Sequence, residues 1–210
     1  MSLPLALRGP SRFQSVILLS ALILTTHFSF SQSDQSGVHI SNFGKINANY
    51  YRGGQPTVLE FLALQKLGVK TVIDLQKDGM FQEPSWVQNA GMRYFRIPLS
   101  SSHPATPEQT DYFLKLVNDP ANWPVYVHCA GGRHRTGEMT AIYRINQDSW
   151  TADRAYNEMK QYGYYSFPNH GSLRNYVFRY FRDFQGRAKK ENQTSVSNPT
   201  RNPTPVIGAN

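Results

Sequence analysis

The run PVYVHC, Pro124 to Cys129, constrains the fold more than any other stretch of the chain. Val125, Tyr126 and Val127 follow one another with no polar residue until His128. A strand wet on one face alternates apolar with polar residues, so an unbroken run predicts a strand covered on both faces, inside a central sheet. VKTVIDL, Val69 to Leu75, is a second short buried strand. MRYFRIPL, Met92 to Leu99, is a third, with Met92, Tyr94 and Arg96 on one face and Phe95 and Ile97 on the other. Between them the spacing turns helical. TVLEFLALQKL, Thr57 to Leu67, carries Val58, Phe61, Leu62 and Leu64, and Gly68 stops it. Thr106 caps a helix with Pro107 at its first position and Gln109 three after the cap. That helix buries Phe113, Leu116 and Val117 and ends near Pro120. Further helices are predicted from about Thr136 to Gln147, after Thr151, and from about Ser172 to Phe184. Strands alternating with helices predict an α/β domain: a central, largely parallel sheet flanked by helices, with a helical C-terminal third.

The chain of 210 residues suits one such domain. Residues 1–31 read as a signal peptide. Arg8 and Arg12 precede the apolar stretch Val16 to Thr26, and Ser29 and Ser31 are small enough for a cleavage site. The apolar stretch is too short for a comfortable membrane span, so export to the periplasm or beyond is expected, with an uncleaved membrane anchor as the alternative. Residues 32–186 form the globular body. Residues 187–210, rich in Asn, Pro, Thr and Ser, read as a disordered tail. The formal net charge of +8 divides into +2 for the signal segment, +3 for the tail and +3 for the body, since 8 − 2 − 3 = 3. A mildly basic body without a basic stripe disfavours nucleic acid as a partner. The single cysteine excludes an internal disulfide.

That cysteine carries the chemistry. Cys129 falls at the carboxyl end of a predicted strand, where open α/β sheets place their ligand sites. The following loop is Ala130, Gly131, Gly132, Arg133, His134, Arg135. Two glycines let loop amides turn inward as an anion nest, and the helix beginning near Thr136 points its positive end at the same place. Arg135 offers a planar fork for two phosphate oxygens. The combined field favours the thiolate, which is the nucleophile. Thr136 can hydrogen-bond the sulfur and assist its later departure. Arg133 and His134 read either as rim residues or as cations for a second anionic group. Arg52, in YRGGQP, reads either as support for the loop or as solvated surface. His128 reads as a core histidine or as a support for the cysteine loop.

HCAGGRHRTG, residues 128 to 137, resembles the signature of the cysteine-dependent protein phosphatases: His, Cys, five residues, Arg, Ser or Thr, Gly. YYRGGQPT, LGVKTVIDL and WTADRAYNEMKQYGY extend the resemblance to small exported bacterial dual-specificity (tyrosine) phosphatases, over roughly Val38 to Phe184. The resemblance implies a phosphotyrosine-phosphatase-like fold and attack of Cys129 on phosphorus. A phosphocysteine forms, and water hydrolyses it. It implies that His128 orients the loop and that no metal or other cofactor takes part. The implied substrate is a phosphotyrosine or phosphoprotein, with inositol phosphates or phosphoinositides as the alternative. In one respect the chain departs from the family. An aspartate general acid is usual between the Met92–Leu99 strand and the next helix, yet Pro98 to Pro107 contains no carboxylate. His103 is the candidate inside that loop. Asp78, from the neighbouring QKDGM stretch, is the alternative, with Glu108 and Asp111 behind it. Without an effective acid the chain would be a phosphate-binding pseudophosphatase. The oligomeric state is open at this level.

Overall fold

Among the residues that the computed structural model describes, 37–168 and 170–197, the core element is a five-stranded sheet. Its strands are β1 (Gly44–Asn47), β2 (Tyr50–Gly53), β3 (Thr71–Gln76), β4 (Arg93–Leu99) and β5 (Val125–His128), in the order β1-β2-β5-β3-β4. Only β1 and β2 pair antiparallel; β2–β5, β5–β3 and β3–β4 are parallel. The Val125–His128 run thus occupies the central position that its apolar sequence requires. The signal segment expected over residues 1–31, and residues 198–210, lie outside the described residues.

The helices are α1 (Val58–Lys66), α2 (Glu83–Asn89), α3 (Pro107–Asn118), α4 (Arg135–Gln147), α5 (Ala152–Gln161) and α6 (Gly171–Ser197). They begin where the capping chemistry says they should. Thr57 with Glu60, and Thr106 with Gln109, form reciprocal capping boxes, and the Thr151 hydroxyl accepts from the Arg154 amide. Alternation along β3 and β5 sends side chains to two separate cores. Ile73, Leu75, Val125 and Val127 pack with Phe113 of α3, Met139 and Ile142 of α4 and Val177 of α6. Val72 and Tyr126 pack with Phe61 and Leu64 of α1 and Val87 of α2. All of these are fully buried, each contributing about 1.5–3 kcal/mol of hydrophobic stabilisation. Burial on both faces fixes where β5 ends, and therefore where Cys129 stands.

Three elements were not anticipated. β1 and β2 are four residues each and carry Gly44 and Gly53, too little for a periodic signal. α2 is seven residues with a proline in its first turn. The expected tail from residue 187 is corrected in part, because α6 continues to Ser197. Arg187 to Gln193 contains no Gly or Pro and, apart from Asn192, is made of good helix formers; the next breaker is Pro199.

Candidate active site

Three consecutive carbonyls shape the loop after β5. The Gln55 amide donates to the Ala130 carbonyl at 3.0 Å, and the Asn42 side-chain amide donates to the Gly131 carbonyl at 2.7 Å. The Arg52 guanidinium donates to the Gly132 carbonyl. In a trans peptide the C=O and the following N–H point in opposite directions. Carbonyls drawn toward β2 therefore leave the amides of Gly131, Gly132 and Arg133 facing the other way, into a cavity of about 190 Å³. Cys129, Arg135, Ser101 and Tyr165 line it with the loop itself. Gly132 has a φ of +66°, and a Cβ there would lie 2.5 Å from the Gly53 carbonyl carbon. A Cβ on Gly54 would lie 3.1 Å from the Ala130 carbonyl oxygen. The glycine pair of YYRGGQPT and the glycine pair of the loop thus pack backbone against backbone.

α4 starts at Arg135, so its N-terminus faces the loop. The buried Arg135 guanidinium donates to Asp78 at 3.2 Å and to the Leu99 carbonyl at 3.5 Å. The Thr136 hydroxyl, expected on the sulfur, donates instead to the Gly53 carbonyl at 3.5 Å, a long contact that a rotation can exchange. Thiol, inward amides, helix N-terminus and arginine fork converge on one anion-sized site, which is what nucleophilic attack on a phosphoryl group needs.

Behind the loop lies a buried charge network. His128 Nε2 is 2.8 Å from Glu83 Oε1, and both side chains are fully buried. Asp74 accepts from Arg96 Nε at 2.8 Å, the Tyr94 hydroxyl at 3.0 Å and the Gln76 amide at 2.8 Å. Asp74, Glu83 and His128 are close enough to share a cation. Arg96 already supplies one, 2.8 Å from Asp74 and 3.9 Å from Glu83. Sequence reasoning missed Glu83, because a glutamate before a proline in a polar stretch carries no signal of burial.

At the mouth, the structure brings Asp78 and not His103 to the arginine. Asp78 is exposed, and its carboxyl is held below the usual carboxylate range by a backbone amide and then by Arg135. His103 turns its Nδ1 to the Ser102 and Ser100 hydroxyls, at 3.1 and 3.3 Å, and does not line the cavity. Glu108 sits exposed in the first turn of α3 and Asp111 one turn along; neither pairs with Arg135. The loop around His103 is tied to the front of α6: His170 Nδ1 meets the Ser101 carbonyl at 2.6 Å, and Ser172 donates to the Ser102 carbonyl at 2.7 Å. His134 does not serve as a rim cation. It stacks on His170 at 3.6 Å and meets Tyr165 edge-on at 4.4 Å. Burial and the neighbouring His170 push its pKa down to about 4, so it is neutral at pH 7. Arg133 is exposed and makes no ion pair among the described residues. Glu138, also missed, is fully buried on α4 and accepts the Ala105 amide at 3.1 Å; burial pushes its pKa up to about 8.

The chain is 34% identical over 128 residues to OCA1 of Mycosarcoma maydis, a candidate tyrosine-protein phosphatase, covering 58% of this chain and 79% of that protein. It is 29% identical over 123 residues to the dual specificity protein phosphatase TpbA of Pseudomonas aeruginosa, covering 59% and 55% of the two chains. The crystal structure of TpbA matches with a TM-score of 0.57 at 28% identity, over 66% of this chain and 83% of that one. The core domain of the PP-IP phosphatase SIW14 from S. cerevisiae shares the fold, with a TM-score of 0.60 at 22% identity over 74% and 96% of the chains. Residues 25–174 match the family described as DSP-PTPase phosphatase fused to NAD+ kinase. The chain belongs to that family, within the cysteine-dependent, dual-specificity type of tyrosine phosphatases.

Proposed function

We propose that the protein hydrolyses aryl phosphomonoesters, phosphotyrosine in proteins first among them, through a phosphocysteine on Cys129. The observation that carries the substrate class is the wall of the cavity. Tyr165 and a neutral His134 stacked on His170 line the mouth, and Arg133 is the cation that remains at the rim. An aromatic wall suits the ring of an aryl phosphate, whereas a polyphosphorylated ligand calls for several cations.

Cys129 attacks phosphorus while Arg135 and the inward amides hold the three non-bridging oxygens. The P–O bond to the leaving group breaks, and that oxygen takes a proton. Asp78 supplies it in this reading. In the free site Asp78 is an anion on Arg135. A bound phosphate takes the arginine fork for itself, and Asp78 is left facing negative charge, which raises its affinity for the proton that enters with the substrate. After departure of the alcohol the same carboxylate can take a proton from the water that attacks the phosphocysteine. The N-terminal residues 1–31 add the proposal that the enzyme is exported; its support is the sequence of that segment alone.

The test is a series of aryl phosphates of graded leaving-group basicity on wild type, Asp78→Asn and His103→Ala. Asp78→Asn should slow the least activated esters by about a hundredfold or more and spare the most activated ones. An unchanged profile for Asp78→Asn, with a steep one for His103→Ala, would return the role to His103. In a parallel panel, faster turnover of inositol phosphates than of phosphotyrosine peptides would refute the aryl preference.

A further inference from the structure

Arg52 is fully buried, and it has no carboxylate within ion-pair distance among the described residues. One N–H of its guanidinium donates to the Gly132 carbonyl, while Nε and Nη1 find no hydrogen-bond partner. The Tyr162 ring lies across it at 4.0 Å. Folding a lone cation into the interior is costly, and half-satisfied buried charges are rare without a use. Arg52 sits on β2 opposite Val127 of β5, two residues before Cys129, and reaches the loop three residues after it.

We infer that Arg52 is the buried counter-ion of the reaction. Its guanidinium fixes the phosphate loop through Gly132, and its charge balances the Cys129 thiolate and the phosphoryl group that the thiolate accepts. The inference rests on the reading of Cys129 as the nucleophile. The groups that face Arg52 leave the role to the sulfur. Tyr50, on its own strand, is kept neutral by burial, which pushes its phenol far above the ordinary range. Tyr162, after α5, offers a ring face. Glu158 of α5 is the nearby carboxylate, and it is already held by Arg144 through Nη2 at 2.7 Å and Nε at 3.1 Å. Burial lowers the proton affinity of Arg52 most; Tyr50, Tyr162, Glu158 and then Cys129 raise it, and of these Cys129 is the one that carries the reaction's charge in this reading. Arg135 would grip the phosphate from the α4 side, while Arg52, sealed from water, supports the loop from behind through the Gly132 carbonyl.

Cys129 is the only thiol in the chain, so its alkylation by iodoacetamide reads one site. Arg52→Gln keeps an amide donor for the Gly132 carbonyl and removes the charge. The midpoint of the alkylation–pH profile should move about one unit alkaline, so that alkylation on the acid side slows about tenfold, with the circular dichroism spectrum unchanged. A folded Arg52→Gln protein with the wild-type midpoint overturns the inference. Arg52→Lys tests it independently. A buried lysine sheds its proton far more readily than arginine, so kcat/KM for an aryl phosphate should gain an alkaline limb that wild type lacks. A folded lysine variant without that limb also overturns it. If wild-type Cys129 alkylates like an ordinary thiol, and Cys129→Ser still turns over substrate, the nucleophile reading itself fails and takes this inference with it.

Discussion

Gly131 and Gly132 look equivalent in the sequence, and the structure predicts that they are not. A Cβ on Gly131 meets nothing closer than the Arg133 side chain, at 3.9 Å. A Cβ on Gly132 would lie 2.5 Å from the Gly53 carbonyl carbon and 2.6 Å from both the Gly53 oxygen and the Gly54 nitrogen. Those atoms are backbone and cannot turn aside. Gly132 also has a φ of +66°, which costs a residue with a Cβ about 1–2 kcal/mol. Crowding against a packed backbone adds about 1–3 kcal/mol more. If the loop stays in place, Gly132→Ala should therefore lose roughly 2–5 kcal/mol of stability, a large part of a typical total of about 5–15.

The loop can instead move away from β2. The Gly132 carbonyl then leaves Arg52, the amides lose their aim, and losing one aimed donor costs about 100- to 1,000-fold in rate. Gly132→Ala must fail in one currency or the other, and urea denaturation together with kcat/KM on an aryl phosphate reads both. Gly131→Ala should stay within about 0.5 kcal/mol of wild type and within a few-fold of its rate. Wild-type stability combined with wild-type turnover in Gly132→Ala would refute the backbone-on-backbone packing, as would equal damage from the two substitutions.

Cys129→Ser should abolish turnover yet still bind phosphate, because the amides and Arg135 remain; a tenth of wild-type activity in that variant would end the covalent mechanism. Arg135→Lys should lose most of its kcat/KM, since a point charge cannot replace the fork; a mild effect would mean that Arg135 does not grip phosphate. Glu138 gives a pH test. Its folded pKa of about 8 lies above the ordinary carboxyl value, so between about pH 4.5 and 8 the folded protein holds a proton that the unfolded chain has lost. Stability should fall as pH rises through that window, and Glu138→Gln should remove the slope and be the more stable protein at pH 8. Parallel stability curves for the two proteins would contradict a buried, protonated Glu138.

Much of this site was legible in the sequence because its signals are local. An unbroken apolar strand, a glycine pair and a helix start fall within 14 residues, Pro124 to Gly137, and together they place Cys129 and Arg135. What escaped was contact across the fold. Glu83 and His128 meet only because α2 packs under the end of β5, and nothing near Glu83 announces it. His134 reads as a cation beside two arginines, yet His170, from the other end of the C-terminal third, stacks on it and helps to keep it neutral. Arg52 was ambiguous because four residues cannot show whether their strand is buried on both faces. The acid was ambiguous for a related reason. Loop position favoured His103, but the Ser101 and Ser102 carbonyls tie that loop to α6, while the loop after β3 carries Asp78 to Arg135.

The charges around Cys129 have a consistent logic once Asp78 and Arg52 are counted together. In the free site two cations, Arg135 and Arg52, stand around Asp78 and the loop that carries Cys129. A phosphate dianion brings two further negative charges into a pocket of about 190 Å³. One proton that enters with the substrate offsets part of that added charge. Arg135 cannot take it, nor can Arg52, since guanidinium is already fully protonated. The thiolate cannot take it without losing its nucleophilicity. Of the groups at the mouth, Asp78 is the one that loses a cationic partner at the moment of binding, so the proton should settle there, 3.2 Å from the arginine it has just left. The general acid is then prepared by substrate binding and needs no raised pKa in the free enzyme. Two consequences separate this from an acid that is protonated beforehand. Binding of phosphate or vanadate near neutral pH should take up about one proton, measurable from the buffer dependence of the binding enthalpy. Asp78→Asn should abolish that uptake while leaving the anion bound, and proton uptake that persists in Asp78→Asn would move the acid elsewhere.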